Sequence, residues 1–203
     1  MPAMPPAVPT DGAPSAPDRM PPLAETGWSD AQRQAVQELC AGPRGGLRGP
    51  FVPLLRSPEL LNRSQRLGEY LRYHAAVPER LREFAILIAA RHWRQGYEWQ
   101  VHVPFAIRAG LAPGLVAALG AGDALPGLAD DESVIFGFCT ELLRTQAVSD
   151  ANYARALALL GEAGVVDLCA VLGYYALLAM VLNVARTPVP AGAQLPFAPA
   201  AGQ

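Results

Sequence analysis

The chain contains no lysine; all 16 of its basic residues are arginine. That excludes every mechanism built on a Lys nucleophile, a Schiff base or a phosphate-loop lysine. Cysteine is scarce as well, with three residues (Cys40, Cys139 and Cys169) far apart in the sequence. An odd number at such separations supplies neither a disulfide framework nor a cysteine-built zinc site, and a reducing cytoplasm is its simplest home. Neither charge dominates. A net charge of −2 gives no electrostatic case for nucleic acid or an anionic membrane surface. The Gly-x-Ser-x-Gly, phosphate-loop and dinucleotide fingerprints are all missing. The longest uncharged apolar run, Leu168 to Leu182 between Asp167 and Asn183, is shorter than the ~20 residues of a membrane span. A buried helix is expected there, with no membrane partner.

What the chain does have is enough apolar sequence for a core. Of its 203 residues, 51% are hydrophobic, which suits one globular domain. No stretch alternates like a strand between hairpin turns, so the expected class is all-α. Residues 1–26, dense in Pro and Ala, read as a disordered, partly polyproline tail with no signal-peptide pattern. Residues 27–186 read as the helical domain, and 187–203 as an extended C-terminal tail. Helix starts are marked at Ser29-Asp30, at Ser57-Pro58-Glu59 and at Val77-Pro78-Glu79. Leu60, Leu61, Leu67 and Leu71 repeat at helical spacing along the second of these. The third should end at Gly96, and a further helix should follow from Tyr97 to Ala109 with Pro104 inside it. Later helices are expected over 113–119, 130–146, 150–160 and 165–185.

The most informative stretch is Glu83 to Gly110. Glu98 and His102 stand four apart and share one helical face. Glu83 opens an apolar helix, where an unpaired carboxylate is expensive to bury. Two carboxylates and an imidazole converging in an apolar setting would make an acid–base site. His92, Arg91 and Arg94 sit just before that helix, where an arginine would suit a carboxylate substrate through a bidentate guanidinium. Tyr97 and Trp99 would line the pocket. The spacings of His74, His92, His102, Glu83 and Glu98 match no standard metal site, so no metal is expected.

Residues 50–122 resemble the carboxymuconolactone decarboxylase family, which includes the alkylhydroperoxidase D-like proteins. The resemblance is carried by Leu81-Arg82-Glu83, the run Phe84 to Arg91, Tyr97-Glu98-Trp99 with His102, and Ala109-Gly110-Leu111. In the alkylhydroperoxidase D branch the pattern is a Glu, eleven residues, Cys-x-x-Cys, three residues and a His. Glu83 and His102 fall on its Glu and His, while Gln95 and Glu98 stand on its two Cys positions. The redox pair is missing, and the Glu-Trp-x-x-His form is the one the decarboxylase-like branch carries.

The resemblance implies an alkylhydroperoxidase D-like helical bundle that assembles as a dimer, trimer or hexamer. It also implies cofactor-independent loss of carbon dioxide, or proton transfer, on a small unsaturated lactone or carboxylic acid. On this chain His102 would transfer the proton, Glu98 would be its partner or a second acid–base group, and Glu83 would orient it. A thiol peroxidase like alkylhydroperoxidase D and a non-catalytic oligomeric scaffold stand as the alternatives.

Overall fold

A computed structural model describes residues 17–200. Its architecture follows from one helix too apolar to face water. In α4 (Glu79–His92) every residue from Leu81 to Ala90 is buried. No amphipathic stripe is left, so the helix must be surrounded. It is packed against α5 (Gly96–Arg108), α6 (Pro113–Ala121), α7 (Asp130–Thr145) and α8 (Asp150–Ala185). Burying side chains such as Phe84, Ile86 and Leu87, each 0% exposed, stabilises by about 1.5–3 kcal/mol apiece. Around this centre, α1 (Asp30–Ala41) packs on α3 (Pro58–Tyr73), and the short α2 (Phe51–Leu54) is wedged between α3 and α8. Among the described residues there are helices and connecting segments and no strand, so the class is all-α as expected.

The helix boundaries follow local chemistry. Ser29 and Gln32 form a reciprocal capping box at the start of α1, each side chain meeting the other's backbone N–H. Pro58 opens α3 from its first position, although Ser57 makes no side-chain cap. The leucine pattern on α3 is half right. Leu61 and Leu71 are buried, but Leu60 and Leu67 are exposed at 41% and 44%. The buried face runs instead through Leu61, Ser64, Gln65, Gly68 and Leu71. At Gly68 a Cβ would lie 2.2 Å from Tyr174 Oη and 2.3 Å from an Arg44 nitrogen. The missing side chain makes room for both groups.

Helix α4 stops four residues before Gly96. Arg94 takes the left-handed conformation (φ 50°) that glycine favours at a helix C-terminus, and Gln95 N–H donates back to Ala90 O. Gly96 becomes the first residue of α5, and the Gln95 side chain accepts from Tyr97 N–H to cap it. Pro104 is exposed, and α5 continues through it. The two late helices run on as α8, interrupted at Gly161, whose backbone (φ 70°, ψ 175°) is not helical. By length and composition α8 could cross a membrane. Of its 18-residue apolar window, 56% is buried inside the bundle.

Of the tail expected over 1–26, residues 1–16 lie outside the described residues, and 17–26 are largely exposed but tied to the body at single points. Arg19 N–H donates to Ala185 O at 2.7 Å, Arg56 donates to Pro21 O at 2.8 Å, and Trp28 Nε1 donates to Leu23 O. A single 3₁₀ turn, Glu25–Gly27, leads into α1. Of the tail expected over 187–203, residues 201–203 lie outside the described residues; residues 187–200 have no helix or strand, and Leu195 and Phe197 pack on the core.

Candidate active site

His102 lies between two carboxylates. Its Nδ1 is 2.7 Å from Glu83 Oε2 on α4, and its Nε2 is 3.5 Å from Glu98 Oε2, one turn back on α5. All three are buried, at 1% exposure for Glu83, 4% for Glu98 and 3% for His102. Glu83 stands in the most enclosed helix, so its carboxylate has to be paired, and the imidazole is its partner. That contact turns Nε2 toward Glu98. A separation of 3.5 Å is too long for a strong hydrogen bond. Both Nε2 and the Glu98 carboxyl therefore remain free to engage a third group.

That group would come from a cavity of about 340 Å³, lined by Glu98, His102, Tyr97, Phe105 and Tyr175 on its inner side. The rings of Tyr175 and Phe105 lie 5.0 and 5.9 Å from the imidazole. They give the imidazole an aromatic flank beside the cavity. Burial is the main cause of a raised Glu98 pKa; His102, Arg44 and Arg72 pull it down and Glu83 adds to the rise. Burial likewise pushes the Tyr174 hydroxyl up to about 12 and Tyr175 well above the usual phenol range. Both tyrosines are neutral donors at ordinary pH.

Arg44, Arg48 and Arg72 form the cationic side of the cavity. Among the described residues, no carboxylate lies within ion-pair distance of any of them. Arg44 stacks 4.7 Å over Phe51, and its Nη2 donates to Tyr174 Oη at 3.4 Å, while its Nε is buried without a hydrogen-bond partner. Arg72 stacks 4.8 Å over Phe105, and Arg48 donates to Arg44 O at 2.6 Å. Arg44 and Arg72, held over aromatic faces and without a carboxylate partner among the described residues, can receive an anion.

The structure brings together Glu83, Glu98, His102 and Tyr97, with Glu83 behind the imidazole and the others at the cavity wall. It separates the remaining expected residues from them. Arg91 donates from Nε to Gly120 O at 2.8 Å and stacks on Phe197. His92 is exposed at the end of α4, with its pKa lowered by partial burial, and faces Ile88, Leu119 and Thr140. Arg94 is exposed in the α4–α5 turn. Trp99 is buried but meets Phe197 edge-on. The reason is angular: a helix turns by about 100° per residue, so Trp99 cannot share the face of Glu98.

The arginines at the cavity are therefore not the ones expected from the sequence. Arg44 and Arg48 sit in a Gly- and Pro-rich loop (residues 42–50), and arginines in such a loop are a signal of binding in their own right. Among the described residues, no set of three or more His, Cys, Asp or Glu side chains is arranged to hold a metal ion. No cysteine lines the cavity; Cys139 is buried with its thiol pKa raised, and Cys40 and Cys169 are exposed elsewhere. No family model matches this chain, and no curated protein matches it.

Proposed function

We propose that the chain is a carboxymuconolactone decarboxylase-like enzyme, performing cofactor-independent acid–base chemistry on a small anionic lactone or unsaturated carboxylic acid. The observation that carries this reading is the imidazole held between two buried carboxylates beside three arginines that have no acidic partner among the described residues. The arginines hold the acid's carboxylate. As the bond to the departing carboxylate breaks, its electron pair passes into the conjugated carbonyl, carbon dioxide leaves, and the dienolate carbon takes a proton. His102 transfers that proton, Glu98 is the second acid–base group, and Glu83 fixes the ring. Water then restores the proton.

The test is a screen of unsaturated lactone acids and β-keto acids for carbon dioxide release. Release above the rate of a His102→Asn control supports the reading. Thiol-dependent peroxide reduction with no lyase activity sinks it. Glu98 and Gln95 on the two positions where a dithiol would stand weigh against that peroxidase alternative.

Glu98 gives the reading a pH signature. With its pKa raised in the fold, the protonated acid is available below that value, and turnover that uses it falls as pH rises through it. Glu98→Gln should remove this limb from the pH profile. Stability moves with the same sign. A carboxyl with a raised folded pKa contributes stability that is fully present below its unfolded pKa and is lost as pH rises through the folded one. Glu98→Gln should therefore unfold at a higher temperature than wild type on the alkaline side of that window, with the gain vanishing on the acidic side. Thermal melts across pH read this directly, and a Tm difference independent of pH counts against it.

Self-assembly in a cytoplasmic setting belongs to the same proposal. Val166, Met180 and Val184 on α8 are exposed at 67%, 43% and 57%. Met180 and Val184 also border an apolar groove shared with Met20, Pro53 and Leu54. Such a patch suits a second copy of the chain. Light scattering at micromolar concentration should show more than a monomer, and Val184→Glu should reduce the mass.

A further inference from the structure

The face of α5 that turns away from the cavity is covered by the chain's own C-terminal segment. Glu98, Val101, His102 and Phe105 point toward the cavity. Gly96, Trp99, Gln100 and Val103 occupy the opposite side of the helix, by the same 100° rotation per residue. Residues 189–197 run across that side. A Cβ at Gly96 would lie 2.5 Å from Leu195 Cδ1 and 2.9 Å from Val189 Cγ2. One at Gly120 on α6 would lie 2.5 Å from Pro196 Cγ. Two side chains are thus absent, on two helices, where the segment sits. Phe197 meets Trp99 edge-on at 5.4 Å and carries the Arg91 guanidinium 5.1 Å over its ring. Gln100 Nε2 donates to Gln194 O at 2.7 Å.

Helix α5 has reason to depend on such support. It is 13 residues long, begins with glycine and contains Pro104, so its intrinsic helical stability is low. Its other restraints are α4, a smaller contact with α6, the Tyr175 and Arg72 side chains of α8 and α3 against His102 and Phe105, and the tie from Gln95 to Asn183 at its N-terminus. We infer that residues 189–197 are a strap that clamps α5 from behind and positions Glu98 and His102 against Glu83. Arg91 and Trp99 belong to the seat of this strap. The inference rests on reading the Glu83–His102–Glu98 cluster as the working site, and Leu195, Pro196 and Phe197 are positioning residues for it.

The experiment uses the full chain with the double substitution Leu195→Ser and Phe197→Ser, and separately Gly120→Val, which blocks the seat from the helix side. Three quantities are read without any substrate: amide hydrogen exchange over residues 96–108, the NMR chemical shifts of the His102 imidazole, and the global unfolding midpoint. Both variants are expected to exchange ~10-fold faster in α5, as a locally loosened element does, and to move the His102 imidazole resonances, with the global midpoint near wild type. A synthetic peptide of residues 189–200 added to the double variant should restore both readings. If Gly120→Val does not fold, the double variant decides alone, since its positions are only partly buried.

Unchanged α5 exchange and His102 resonances would overturn the strap. So would loss of α5 protection only in step with global unfolding, and so would a restoration that requires dimer formation. Because no turnover is measured, a failure of the proposed lyase chemistry leaves these outcomes readable. Once a substrate is known, the double variant should lose kcat with KM little changed, because Arg44, Arg48 and Arg72 lie off the strap.

Discussion

Replacing His102 with asparagine is expected to lower turnover by ~10²–10⁴-fold, the range that general acid–base catalysis contributes. The protein should stay folded. Asparagine is the better probe than alanine because Glu83 is buried and meets the imidazole at 2.7 Å. Alanine would leave that carboxylate with no partner, and a buried group stripped of its hydrogen bond costs about 1–3 kcal/mol or more. The asparagine amide can still donate toward Glu83, but it carries no titratable nitrogen toward Glu98. His102→Ala should therefore show a stability loss on top of the same loss of turnover. Thermal unfolding of both variants separates the two effects.

The companion measurement replaces Cys40, Cys139 and Cys169 together by Ser, Ala and Ser. Cys139 is buried at 0% exposure, so some packing stability goes, while turnover should hold. A dithiol mechanism requires the reverse: a dead cysteine-free protein and a merely slowed His102 variant. A folded, inactive cysteine-free protein would refute the acid–base assignment.

The cluster was legible in the sequence because each of its members obeys a local rule. Glu98 and His102 stand one turn apart on a helix whatever the tertiary structure does. Glu83 lies in a run so apolar that the helix has to be interior, and an interior carboxylate needs a partner. Helix starts at Ser29 and Pro58 were legible for the same reason, since a capping serine in one case and a first-position proline in the other act within the first turn.

Residues whose placement depends on distant contacts were not legible. Arg44 and Arg48 reach the cavity because their loop folds over Phe51 and toward Tyr174, a residue 130 positions further on than Arg44. Arg91 and Trp99 adjoin the cluster in sequence and were expected to serve it, but the C-terminal segment claims both. Nothing local in that tail announces where it docks. Gly96 and Gly120 carry the trace of it, and a glycine's missing side chain is interpretable only once its neighbour is known. Leu60 and Leu67 were misjudged because helical spacing fixes which residues share a face, not how wide the covered face is.

Removing the cavity's positive charge should be the second large effect. Arg44→Gln and Arg72→Gln each delete a guanidinium that has no acidic partner among the described residues. A hydrogen bond to a charged group is worth about 1.5–3 kcal/mol, which is roughly 10–100-fold in affinity. The double variant should thus lose on the order of 10²–10⁴-fold in kcat/KM if the two contacts act independently, chiefly through a higher KM. Arg91→Gln is the control: it lies under Phe197 and should leave KM unchanged.

A second consequence tells binding from mere disruption. Arg44 and Arg72 both pull the Glu98 pKa down against the burial that raises it. Without them the Glu98 acid stays protonated to higher pH, so the limb it imposes on turnover should move toward alkali. A raised KM together with that displaced limb places the arginines beside both the substrate and Glu98. A raised KM with an unmoved limb breaks the link between the anion site and the acid, and with it the proposal that one cavity does both jobs.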